Sequence, residues 1–228
     1  MNPPFTIDAF LSVFVAYNEA IWPTQIAAYI LGATATAALW LNPSRASGLI
    51  LSILSVLWAW NGIAYHFLFF AEINPVAKLF AGLFVLQAFV FVMSGFVANA
   101  IHFEVTRSFR SVAGAAFIVY AMVAYPILGL WAGHGLMKGP MFGVAPCPTV
   151  IFTIGMLLMA RGPWLSLLSI IPFLWSLVGL AAAVQLGIPE DLGLAVAGLV
   201  LMAVIAAELF QSRDDFKSKS PSSGSATG

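Results

Sequence analysis

Residues 21–210 form a succession of long apolar runs, nearly free of charge inside and parted by short polar breaks. A helix of about 20 apolar residues covers the roughly 30 Å hydrocarbon core of a bilayer. Inside lipid every backbone N–H and C=O has to be satisfied within the protein, so such runs can only be helices. The pattern therefore predicts an all-α fold, a polytopic membrane helix bundle of about seven transmembrane helices. The spans fall at about 21–41, 49–70, 77–101, 112–131, 149–160, 164–186 and 192–210. Composition agrees: 8% of the residues are charged, against about 25% in soluble domains. With Lys+Arg 9 balancing Asp+Glu 9, charge implies no nucleic-acid partner. The single cysteine cannot form an internal disulfide.

One domain is expected over residues 1–210, with a polar, Ser-rich disordered tail at 211–228 on the cytoplasmic side. The first residues lack the basic region of a cleaved signal peptide, so a retained N-terminus is expected. In residues 6–18, Ile7, Phe10, Leu11, Phe14 and Val15 follow helical periodicity behind Thr6, a good N-cap. Too short to span, this helix is expected to lie in the interface. Arg45, Arg107, Arg110, Arg161, Arg213, Lys217 and Lys219 fall on one side of a seven-span topology, and only Lys78 and Lys138 on the other. The positive-inside rule then puts the C-terminus in the cytoplasm and the N-terminus outside. Most of the remaining polar residues, Glu190 and Asp191 included, map to the outer half, so a site opening outward is expected. Glu190-Asp191 reads most simply as the cap of the last span.

The fifth span is the anomaly. Residues 149–160 make only about 18 Å of helix at about 1.5 Å per residue. Arg161-Gly162-Pro163 pins its end at the cytoplasmic interface. Its beginning is then expected inside the bilayer, with residues 142–148 approaching it in non-helical form because Pro146 and Pro148 disfavour helix. The plain alternative is a short, tilted helix or a locally thinned membrane, with Pro146-Cys147-Pro148 as an ordinary outer turn. Such discontinuous helices present free N–H groups to ligands in transporters. In this reading Cys147 is the N-cap and Pro148 the first helical residue, and the dipole favours a thiolate at Cys147.

Glu19, Asn61, Tyr65, His66, His134 and Cys147 share the outer half and are the expected ligand-binding residues. Ionisable groups inside a membrane protein are costly and tend to have a partner or a role. His66, His134 and Cys147 form a ligand set that suits zinc or copper, although no two of them stand at a diagnostic spacing. Haem is the weaker alternative, and the plain one is histidines hydrogen-bonded to backbone or to Glu19 and Glu72. Pro126 and Pro172 are expected kinks, beside which Tyr120, Tyr125 and Trp175 are candidates to line a cavity.

The motifs YNEAIWP (17–23), NGIAYHFLFFAEINP (61–75), YPILG (125–129), FGVAPCPTVIFT (142–153), IPFLW (171–175) and EDLGLAVAG (190–198) run through nearly the whole chain. In these the chain resembles an uncharacterised family of bacterial multi-spanning membrane proteins, a domain of unknown function. The resemblance implies a bacterial inner-membrane location and no activity, cofactor or catalytic residue. It is looser at GHGLMKGP (133–140), where the family pattern has Tyr-Pro after Gly-His. The functional expectation is a transporter or permease that binds a small ligand or metal ion in an outward-facing cavity. The alternatives are an accessory subunit packed against other membrane subunits, and a metal-dependent membrane enzyme.

Overall fold

The apolar runs fold as helices. The computed structural model describes residues 6–41, 43–97, 100–131, 138–186 and 188–219. In order these are α1 (Ile7–Ala20), α2 (Thr24–Leu41), α3 (Pro43–Trp60, continued as a π-helix Asn61–Phe69 and a 3-10 turn Phe70–Glu72) and α4 (Ala77–Phe96). Then follow α5 (Phe109–Val119), a π-turn Tyr120–Ala124, α6 (Tyr125–Trp131), α7 (Pro146–Leu158), α8 (Leu165–Leu186) and α9 (Leu192–Lys219). Among the described residues six helices are long and apolar enough to cross a membrane, and α7 is a shorter apolar helix. Their outward faces carry exposed Ile, Leu, Val and Phe on nearly every span. So much exposed apolar surface suits lipid rather than water.

The short helix is the axis of the bundle. Val150, Ile151, Phe152, Ile154, Met156 and Leu157 of α7 are wholly buried. Helices α5, α8 and α9 pack against it most extensively, with the π-turn and α3 also in contact. Helix α5 comes closest because glycines face each other: a Cβ on Gly155 would lie 2.8 Å from the Gly114 carbonyl oxygen. Trp58 of α3 donates its indole N–H to Thr153 Oγ1 at 2.9 Å, a buried bond between the two helices. A helix too short to cross is tolerable here because protein, not lipid, surrounds it.

Two small features close the end of the bundle where α7 stops. Residues His102–Phe103 (β1) pair antiparallel with Ala160–Arg161 (β2). Arg161 holds Glu104 at 2.8 Å and Glu208 at 2.6 Å, and Arg110 also pairs with Glu208. Arg110 further donates to the carbonyls of Leu158 (2.9 Å) and Ala160 (2.7 Å). The Leu158 carbonyl is one that the end of a helix leaves without a partner, and Ala160 follows it in β2.

Thr6 is the N-cap of α1, accepting a bond from Ala9 N–H at 3.2 Å. Rather than only lying on the surface, α1 buries Phe14, Tyr17 and Asn18 against the bundle. Phe14 stacks on Tyr65 at 5.1 Å, and Phe10 meets Phe70 edge-on at 5.9 Å. The tail differs from expectation as well: α9 is continuous to Lys219, so the first part of the segment expected to be disordered is helical. A chain leaving an established helix skips the costly nucleation step, so even a polar sequence can continue it. Residues 220–228 lie outside the described residues.

Candidate ligand site

The approach to α7 is a largely buried, non-helical run, and the carbonyls of Gly139, Met141, Gly143, Val144 and Ala145 find donors. Asn18 Nδ2 donates to Gly139 O at 3.0 Å, and Ala145 N–H to Met141 O at 2.9 Å. Asn61 Nδ2 reaches Gly143 O at 2.9 Å and Leu57 O at 2.8 Å, while Tyr17 Oη donates to Val144 O at 2.7 Å. Thr149 Oγ1 donates back to Ala145 O at 2.6 Å. Buried backbone demands such accounting. Gly143 makes the turn: its φ is +78°, and a Cβ would stand 2.6 Å from Ala28 Cβ. Helix α7 then starts two residues earlier than the sequence reading placed it, with Ala145 as N-cap and Pro146 as first residue. Pro146 already has the φ a first turn needs, and Pro148 still lies where N–H groups have no intrahelical acceptor. Cys147 is therefore inside the first turn rather than at the cap.

Beside this start lies a cavity of about 230 Å³, enclosed by α1, the π-helix, α8 and the short turn before α9. Its polar lining includes Tyr65, His66, Asn74, Cys147, Gln185 and Asp191; aromatic rings from Phe10, Phe14, Phe70, Phe80 and Trp175 supply much of the rest. Among the described residues no lysine or arginine lines it. A π-helix shifts side-chain registry, and π segments are frequent at functional sites. Here it turns Tyr65 and His66 together into the cavity wall.

His66 is the least ordinary residue in the molecule. It is fully buried, and neither ring nitrogen has a hydrogen-bond partner. Its ring lies among Tyr65 (5.0 Å), Phe84 (4.8 Å), Trp175 (5.0 Å) and Phe80 (5.8 Å). Trp175 Nε1 is likewise buried, with only the Cys147 sulfur as its neighbouring acceptor. Leaving a buried polar atom unsatisfied costs about 1–3 kcal/mol. At the wall of a cavity, that cost is relieved by whatever fills it.

Asp191 completes the site. Tyr125 Oη donates to its Oδ1 at 2.5 Å, and the Cys147 thiol lies beside it. Burial pushes the Asp191 carboxyl up to about 7; the hydrogen bonds from Tyr125 and Cys147 oppose that shift and Glu190 adds to it. Tyr120 Oη ties the same turn down through Glu190 O at 2.7 Å.

The expected residues sort as follows. Tyr65, His66 and Cys147 come together on one cavity. Asn61 does not line it; it holds the segment before α7 in place, because its amide spends itself on backbone carbonyls and on Thr149 Oγ1 (3.3 Å). Glu19 is exposed and outside the lining, since the face of α1 that packs inward carries Phe14, Tyr17 and Asn18 instead. His134 lies outside the described residues. Among the described residues no three of His, Cys, Asp and Glu gather as metal ligands, and with no basic residue on the wall nothing there holds Cys147 as a thiolate. Sequence alone presents Asp191 as a helix cap and α1 as an interfacial helix. The usable signal was the rarity of acids near a membrane span.

Compared with known proteins, residues 7–215 match a family model described as "Family of unknown function (DUF6064)". No curated protein and no solved structure matches the chain.

Proposed function

The chain belongs to the DUF6064 family, whose description carries no activity over, and we propose from the site that this membrane protein is a small-ligand permease of a bacterial inner membrane. The observation that carries this reading is His66, buried with both ring nitrogens unpartnered on the wall of a 230 Å³ cavity. An engineered apolar cavity of about 150 Å³ already takes benzene, so the space suits a small molecule. Pockets of this kind combine apolar walls with a few polar groups that fix orientation. The buried start of the half-helix beside it is a transporter-like device, and the arginines of the loops support an orientation in which the cavity opens outward.

The test is cavity filling. Ala182 lines the cavity, and Ala182→Trp blocks it. Compounds found by thermal shift on the purified wild type are expected to stabilise it and not Ala182→Trp. Their uptake into proteoliposomes is expected to need the open cavity. A filled variant that binds and transports like wild type removes the proposal.

A further inference from the structure

We propose that the ligand of this cavity is a small organic cation, an amine, with Asp191 as its counter-charge and the aromatic wall as its cage. The inference rests on the permease reading above and names the substrate class of the same site.

Three observations converge. First, Asp191 is 3% exposed, and its side-chain neighbours are neutral hydrogen-bond donors, the Tyr125 hydroxyl and the Cys147 thiol. A buried carboxylate is tolerated when it is paired with a cation, and the cavity wall provides none. Second, the rings of Phe10, Phe14, Tyr65, Phe70, Phe80 and Trp175 surround the space. Aromatic faces attract ammonium groups electrostatically, the more so when water is excluded. Third, His66 has two buried, unpartnered ring nitrogens on the same wall. A neutral imidazole offers one acceptor, which suits an ammonium N–H. Anions are disfavoured, since among the described residues on the wall none is a lysine or arginine and the carboxyl is that of Asp191.

The proton balance follows. An amine enters as the ammonium ion, Asp191 gives its proton to solvent, and an ion pair forms in the cavity; release reverses each step. The titratable groups facing Asp191 are Tyr125 and Tyr120 from the fourth span, Cys147 from α7, Tyr65 and His66 across the cavity, and Glu190 beside it. Asp191 is the carboxyl that burial holds in its protonated form, so the proton exchanged is assigned to it.

Benzylamine and its neutral counterpart benzyl alcohol are the probes, titrated calorimetrically into the full-length protein in nanodiscs at a pH below 7. Benzylamine is expected to bind about tenfold or more tightly than benzyl alcohol. Its heat should vary with buffer ionisation as about one proton is released. Asp191→Asn should abolish both the preference and the proton release while keeping benzyl alcohol binding. If that variant does not fold, Trp175→Leu should weaken benzylamine more than benzyl alcohol. Equal binding of both probes, or a preference for benzylamine that survives in Asp191→Asn, overturns the cation assignment and leaves the cavity standing. Binding of neither probe overturns the cavity reading as well.

Discussion

At the scale of single residues, hydroxyls and amides brace the site. Tyr17 does two jobs, donating to Val144 O at 2.7 Å and accepting from Trp60 Nε1 at 2.8 Å. Tyr17→Phe keeps the ring and orphans both partners, so a loss of about 1–3 kcal/mol is expected, read as a lower melting midpoint in detergent. Asp191 makes a pH prediction. Its folded-state value is raised from 3.8 to about 7, so the protonated form is the one folding favours. The stability this contributes is fully present below the unfolded value and is lost as pH rises through the folded one. The wild-type melting midpoint is expected to fall between pH 4 and pH 7 in the absence of ligand. Asp191→Asn should flatten that fall, and a variant that follows the wild-type curve would sink the assignment.

At the scale of elements, the question is what keeps a half-helix in register. Asn61 joins the π-helix to the run before α7 through Gly143 O and Thr149 Oγ1. Asn61→Ala should cost about 1–3 kcal/mol by leaving the Gly143 carbonyl buried and bare. It should also weaken ligand binding without touching the cavity wall, whereas an unchanged affinity would show that the segment holds its place unaided. The Gly114–Gly155 crossing is the second brace. Gly155→Ala would press its Cβ on the Gly114 carbonyl and on Ile118. Overpacking of this kind costs about 1–3 kcal/mol, measurable as a lower midpoint and faster detergent inactivation.

At the scale of the whole molecule, polar chemistry is divided between the two ends of the bundle. Arg110, Arg161, Glu104 and Glu208 gather where α7 ends, and Tyr17, Asn61, His66, Cys147 and Asp191 gather where it begins. That division predicts a topology. In a Cys147→Ser background, cysteine introduced at the exposed Asp8 should react with a membrane-impermeant maleimide in intact spheroplasts. Cysteine at Ser225 should react only after permeabilisation. The reverse labelling would invert the orientation and turn the cavity toward the cytoplasm.

How much of this was legible beforehand differs by scale. Span count, the short fifth helix and its buried approach follow from lengths set against bilayer thickness, which are one-dimensional quantities that a chain displays directly. Tyr65, His66 and Cys147 could be placed in one half of the bundle for the same reason. Two things were not readable. Which face of α1 turns inward, and hence that Glu19 stays outside while Phe10 and Phe14 wall a cavity, depends on docking against the π-helix. That Asp191 sits against Tyr125 and Cys147 rather than merely capping α9 depends on three segments far apart in sequence meeting at one point. Membrane spans are selected by lipid, residue by residue, and so are written in local hydropathy. A site is selected by packing among helices, and no local pattern encodes which side chains will meet there.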